Sequence, residues 1–255
     1  MTQAQMLNIA MAQSAIDSHC DAEDFRRTKN KVVLSEPHPL ARKYLELPFC
    51  CDLVSYGNNI VASVSPELAE VVEAYINRCP IEHSFETPNL HVLSDALQPR
   101  GQRICFMAEY FLPDVAALET LECGYAIKLL LPPDFANLYT QEWGNALSSR
   151  RPALDMLAVG AFDGEKLVGL AGCSADCETM WQIGVDVLLQ YRRKGIASAL
   201  TSRLAVEVLN RGKVPFYCCA WSNVRSVRNA IKSGFRPAWV QMTAKATAFV
   251  DALNG

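Results

Sequence analysis

The stretch LAVGAFDGEKLVGLAGCSA constrains the fold most. Two apolar runs flank Asp163-Gly164, and an Asp-Gly pair between such runs is a strong short-range hairpin signal. The runs are too short for helices and rich in the residues that favour strands. Elements of two other kinds surround this hairpin. YAIKLLLPPDF reads as a strand ending at Pro132-Pro133, followed by a helix over 134–147. TMWQIGVDVLL reads as a further apolar strand. A helix then occupies about 195–210, with Ile196, Leu200, Leu204 and Val208 on one stripe and Gly212 at its end. VPFYCCAW is a buried strand. Ser222 or Asn223 caps the next helix, Gly234 closes it in a left-handed C-cap, and PAWVQMTAK is the last strand. The second half therefore runs β-α-β-β-β-α-β-α-β.

The first half reads as mixed α/β. Residues 3–17 suit a helix, CDLVSYGNNIVASVS suits a hairpin, and RICFMAEYFL suits a strand that breaks near Pro113-Asp114. Ser65 at N-cap and Pro66 at N1 mark the start of another helix. The expected division is a smaller α/β domain over 1–117 and a second domain over 118–255.

Half of the 255 residues are hydrophobic, enough for a sizeable core. No apolar run nears the ~20 residues of a membrane span. The N-terminus lacks the basic start and dense apolar core of a signal peptide. A cytoplasmic protein is expected, with no membrane partner. Ten cysteines show no C-x-x-C, and several lie in apolar runs, so they read as reduced core residues and no metal site is expected. The net charge of −3 conceals an asymmetry: residues 190–236 hold ten Lys or Arg and a single acid, Glu207. A basic segment in an acidic chain points to a local anionic ligand. Nucleic acid fits less well, because aromatic interleaving is sparse and no recognition motif is present.

QYRRKGIASAL is the centre of that segment. A helix N-terminus leaves N–H groups unpaired and carries partial positive charge. Gly195 lets the backbone approach a phosphate closely, and small Ala197 does not obstruct it. Arg192, Arg193 and Lys194 add charge. By itself the pattern is weak, and a capped surface helix with a solvated charge cluster is the commoner reading.

Its context is more specific. Arg192-Arg193-Lys194-Gly195-Ile196-Ala197 follows the strand IGVDV and precedes WSNVRSVRNAIKSGFRP. Over about 125–245 these linked features resemble the GNAT superfamily of acyl-CoA-dependent N-acetyltransferases, through its R/Q-x-x-G-x-G/A signature. The resemblance implies an α/β (α+β) fold whose mixed sheet, flanked by helices, splays between the strands at 180–188 and 215–221. It implies acetyl-CoA as co-substrate, with no metal. Val185 and Val187 would present backbone groups to pantetheine, with Val187 as oxyanion donor. Residues 192–197, Ile196 included, would meet the phosphates. Asn223 and Ser226 would lie on the cofactor's other side. Arg225 and Arg228, three apart on one helix face, are candidates for a further phosphate.

Two family features are absent. The usual leaving-group acid, a tyrosine four residues before the glycine of the Gly-Phe ending, is Ala230. The usual glutamate base falls near Trp181. Tyr217, on the strand at the split, and Glu142, in the expected helix 134–147, are the substitutes named for catalysis. Asp186 is either a base or a strand-end polar group; Glu109 and Asp155 are acids without a supporting pattern. Cys218-Cys219 lacks a nearby histidine to activate a thiolate. The resulting expectation is an enzyme that transfers acetyl from acetyl-CoA to a primary amine of a small molecule or peptide. The alternative is an acyl-CoA-binding sensor that has lost catalysis. A homodimer is left open.

Overall fold

The computed structural model describes residues 1–255. The chain divides into two compact units, one of 10–110 with 238–255 and the other of 1–9 with 111–237. The expected division was 1–117 and 118–255. Instead, the C-terminal residues belong with the first half and the first nine with the second. The cause lies in three long elements that each run from one unit into the other: α1 (Gln3–Ser18), β4 (Gln102–Pro113) and the last strand, Phe235–Ala246.

In the unit of 10–110 and 238–255, α1 is followed by β1 (Lys31–Leu34), β2 (Cys51–Ser55) and β3 (Val61–Val64). The expected hairpin forms: β2 and β3 pair antiparallel, with Gly57 in the turn at φ +98°. β1 adds to β3 in parallel. Ser65 caps the following segment with its backbone only. Pro66–Leu68 is a 3-10 turn, and α2 begins at Ala69 and ends at Ile76. After α3 (Thr87–Leu97), β4 begins. Leu53, Ile60, Val64, Leu68, Val72 and Leu93 share one core.

The unit of 1–9 and 111–237 holds β5 (Ala126–Leu130), α4 (Pro132–Phe135), β6 (Asp155–Asp163), β7 (Lys166–Ser174), β8 (Met180–Val187), α5 (Ile196–Asn210), β9 (Val214–Ala220) and α6 (Val224–Lys232). β10 (Phe235–Ala246) and α7 (Thr247–Asn254) complete the chain. The strand order here is β4-β9-β8-β7-β6-β5. β5 to β8 are antiparallel neighbours, and β8 and β9 are parallel, so the sheet is mixed as expected.

Alternation along the strands sends side chains to two layers. One layer contains the α5 stripe Ile196, Leu200, Leu204 and Val208, all fully or almost fully buried against Val159, Ala171, Ile183 and Tyr217. Burial of each such side chain contributes roughly 1.5–3 kcal/mol. The opposite layer packs Phe135, Trp143, Ala146 and Leu147 against Ala158 and Leu170. The helix expected over 134–147 is absent. α4 lasts one turn, and Gln141–Trp143 is a 3-10 turn. The apolar residues of this stretch are buried as a helix would bury them, but through a folded loop.

α6 shows why its ends fall where they do. The Asn223 side chain accepts from the Ser226 N–H at 3.2 Å. Gly234 ends the helix at φ +83°, and a Cβ there would press on Leu118 Cα at 2.7 Å. No helix of the chain is long and apolar enough to cross a membrane. No two of the ten cysteines form a disulfide.

Candidate active site

β8 and β9 pair from Met180–Val214 to Ile183–Tyr217 and no further. β8 continues to Val187 and β9 to Ala220, so the two strands part beyond Ile183 and Tyr217. The direction of the freed peptide groups follows from the register with β7. Gly169 stands opposite Val187 without a register shift, and the Leu188 N–H donates to the Val168 carbonyl. Peptide groups alternate sides along a strand, so those of Val185 and Val187 point away from β7, toward the edge that β9 has left. The two valine side chains are half-buried against the α5 layer. Two residues named from sequence thus place unpaired N–H groups on one open edge.

The edge leads into the loop before α5. Arg193 and Gly195 both adopt left-handed backbone, φ +64° and +80°. This curls successive N–H groups into a concave surface of the kind that binds anions. The N–H groups of 193–198 donate to no acceptor in the chain; the first bond of this segment runs from the Ala199 N–H to the Gly195 carbonyl. A Cβ on Gly195 would meet nothing within 4 Å, so the glycine keeps the space above the cradle clear. Ile196 is buried as the first residue of the α5 stripe, and Ala197 is half-buried.

The three cations divide their tasks. Arg192 folds back, its Nε donating to the Val187 carbonyl at 3.0 Å, which ties the loop to β8. Lys194 Nζ bonds to the Tyr125 hydroxyl at 3.0 Å and lies 5.7 and 5.0 Å from the Tyr125 and Tyr191 ring centres. The Tyr125 hydroxyl raises the Lys194 pKa further. Tyr191 in turn donates to Asp163 at 3.0 Å. Arg193 is exposed beside the N–H groups. The free donors of this loop are therefore mostly peptide N–H groups.

Across the split, Tyr217 occupies the last paired position of β9. Its hydroxyl lies 2.7 Å from that of Ser226, on the first turn of α6. Burial raises its pKa, so it stays a protonated donor. Ala230 is fully buried in the same core, and Phe111 and Phe235 pack on the Tyr217 ring. The structure thus brings together Tyr217 and Ser226, which were named for different roles. Asn223 is occupied as the α6 cap. Arg225 and Arg228 are exposed, and neither forms an ion pair. Trp181 is a core residue. Glu142 is exposed on its 3-10 turn, and the helix that was expected to carry it does not form.

Asp186 has a structural partner for each oxygen. Its carboxylate accepts the Asn145 N–H at 2.8 Å, Asn145 Nδ2 at 2.6 Å and the Ala146 N–H at 3.0 Å. It thereby pins loop 144–148 over β7 and β8. Under this loop lies a cleft of about 180 Å³, lined by loop 144–148, Arg151, Asp155, Ser174, Asp176, Gln182 and Gly184. Gln182 and Gly184 flank Ile183, the residue at which the strands part, so the cleft and the split share a wall. Asp155 is buried there, accepts the Ser148 N–H at 2.8 Å, and is pushed up to about 6 by burial. Asp176 went unnoticed in the sequence. It lies 21 residues beyond Asp155, and only the β6–β7 register, with Asp155 opposite Ser174, brings them together.

Residues 116–238 match the model of the GNAT acetyltransferase family. No curated protein matches the chain. Among solved structures, it is similar to a GCN5-related N-acetyltransferase-like protein from Streptococcus suis, at 22% identity over 60% of this chain and 67% of that one, with a TM-score of 0.46. For a GCN5-related N-acetyltransferase from Kribbella flavida the figures are 17%, 62%, 66% and 0.47. For a GNAT-family acetyltransferase from Colwellia psychrerythraea they are 16%, 59%, 61% and 0.43. The chain spans about two thirds of the length of the structures it matches. The family match is the stronger of these findings: over residues 116–238, just under half of its length, the chain is similar to GNAT acetyltransferases.

Proposed function

We propose that the chain is an N-acetyltransferase that moves an acetyl group from acetyl-CoA to a primary amine of a small molecule or peptide. The observation that carries this reading is two neighbouring sets of unpaired backbone donors, separated by the bonded N–H groups of Leu188, Tyr191 and Arg192. The first is Val185 and Val187 on the open edge of β8, and the second is the N–H groups of 193–198. An acyl-CoA matches the two sets, with amide groups for a strand edge and a pyrophosphate for a helix N-terminus. When bound, acetyl-CoA supplies an activated acyl group: its carbonyl carbon takes the amine's lone pair, the C–S bond breaks as the thiolate departs, and the nitrogen sheds its extra proton to water. The Val187 N–H donates to the thioester oxygen, where negative charge develops. Residues 193–197 hold the phosphates, with Ile196 anchoring the start of α5 in the core. Ser226 holds the Tyr217 hydroxyl, which delivers a proton to the leaving sulfur.

A second reading rests on two buried residues. Ala230 and Trp181, where the family's usual acid and base stand, are both core side chains. A protein that binds acyl-CoA without turnover fits them. Mixing the protein with acetyl-CoA and a panel of amines separates the two. Thiol release matched by acetylated amine is the expected result. Binding by calorimetry without release on any amine selects the sensor, and absence of binding sinks both.

Tyr217→Phe tests the acid. Turnover should fall about tenfold, less than the ~10²–10⁴ typical of proton transfer because a thiolate leaves well without full protonation. Acetyl-CoA affinity should stay within about twofold, since the hydroxyl contacts Ser226 and not the cradle. The deficit should shrink with a thioester of a more acidic thiol. A deficit independent of the leaving thiol would assign Tyr217 to packing alone.

A further inference from the structure

A second cleft, of about 320 Å³, lies between β5, α5 and the irregular segment that precedes β5. In the sheet β7 and β6 separate β5 from β8, so this cleft is distinct from the parted strands. Its outer wall is segment 120–123, which Leu121 fastens to α5 by donating its N–H to Ser202 Oγ at 3.0 Å. Its inner wall is Tyr125, Ile127 and Leu129, which alternate onto one face of the chain. Tyr125 and Ile127 pack on the α5 core, while Leu129 is left 39% exposed.

Two groups of opposite charge line the same space, Glu122 and Arg203. Glu122 forms no ion pair. Arg203 shares the Glu207 carboxylate with Arg211, at 3.0 and 2.9 Å, so one acid answers two guanidiniums. The N–H groups of Thr120, Glu122 and Cys123 donate to no acceptor in the chain. The cleft thus offers a free carboxylate, a half-answered guanidinium beside spare N–H donors, and an apolar wall.

We infer that this cleft binds a free α-amino acid with an apolar side chain. Its ammonium meets Glu122, its carboxylate meets Arg203 and the N–H groups of 120–123, and its side chain lies along Ile127 and Leu129. At neutral pH such a molecule carries one charge of each sign, and each charge finds a partner that forms charge-assisted hydrogen bonds. A simple amine would leave Arg203 unanswered, and a simple carboxylic acid would leave Glu122 unanswered. The space holds about ten water volumes, which suits the roughly 9–12 non-hydrogen atoms of leucine or phenylalanine and is too small for a nucleotide. Nothing in this inference depends on the transferase reading.

The experiment is a calorimetric titration at neutral pH without acetyl-CoA. The probes are L-leucine, N-acetyl-L-leucine, L-leucinamide and glycine, which lack in turn nothing, the ammonium, the carboxylate and the apolar side chain. Leucine should bind about fivefold more tightly than each of the others, a modest margin because both protein charges are partly exposed. Glu122→Gln should erase the advantage over N-acetyl-L-leucine, and Arg203→Gln the advantage over L-leucinamide. Both positions are exposed, so both variants should melt with the wild-type chain. Absence of leucine binding, equal binding of the four probes, or an advantage that outlives its matching variant overturns the inference. The last outcome would place leucine elsewhere on the molecule.

Discussion

Gly195→Asp should weaken acyl-CoA binding by roughly a hundred-fold, about 2.8 kcal/mol. The fold has room for the change, because a Cβ at 195 meets nothing within 4 Å. The backbone sits at φ +80°, where a non-glycine residue costs about 1–2 kcal/mol, with aspartate and asparagine at the low end. Opposing that cost, a carboxylate at a helix N-terminus is favourable. The variant should therefore fold with a stability loss near 1 kcal/mol. Its carboxylate would then occupy the cradle itself, competing for the N–H groups of 193–198 and repelling a pyrophosphate. Gly195→Asn carries the same backbone cost and no charge, so it should lose only about tenfold. Calorimetry with CoA reads both variants, and unchanged affinity in the aspartate variant would refute the cradle.

Gly184→Ala should damage the molecule by another route. An added methyl would collide with the Asn145 carbonyl, and Gly172 faces the Ala146 carbonyl in the same way. These partners are backbone, held in place by three bonds to Asp186, and cannot swing aside like a flexible side chain. The loop must lift, with loss of packing by Trp143, Ala146 and Leu147. Overpacking of this kind costs about 1–3 kcal/mol, and the upper end is expected here. The urea midpoint should fall accordingly. A variant with wild-type stability would show that the loop is not held as described.

Much of this architecture can be read in advance where the signal is local. Asp163-Gly164 gives its hairpin, with Gly164 at φ +63°. The spacing of Ile196, Leu200, Leu204 and Val208 gives α5, and Asn223 and Gly234 bracket α6. The stretch 134–147 misleads because its apolar residues are indeed buried. What folds them is the Asp186 carboxylate, forty residues away, acting on Asn145 and Ala146. The site divides along the same line. In the proposed function Gly195, Val185 and Val187 serve through their own backbone, so a short pattern marks them. Asp155 and Asp176 acquire meaning only from strand register and from a loop closing over them. No spacing announces such a pair. The first half yields a hairpin, two helices and a strand, but β1 is only four residues long and takes its place from parallel pairing with β3.

The interleaving of the two units has a consequence for biosynthesis. A chain emerging N-terminus first cannot finish the unit of 10–110 early, because that unit also needs residues 238–255. The unit of 1–9 and 111–237 is likewise incomplete until residue 237 has been made. The usual order, in which a leading domain folds while its successor is still being translated, is not open to this chain. The two units close in succession, at residue 237 and over 238–255, so the nascent chain carries two unfinished cores until those residues are made, and loss of 238–255 strikes the unit of 10–110 rather than the other.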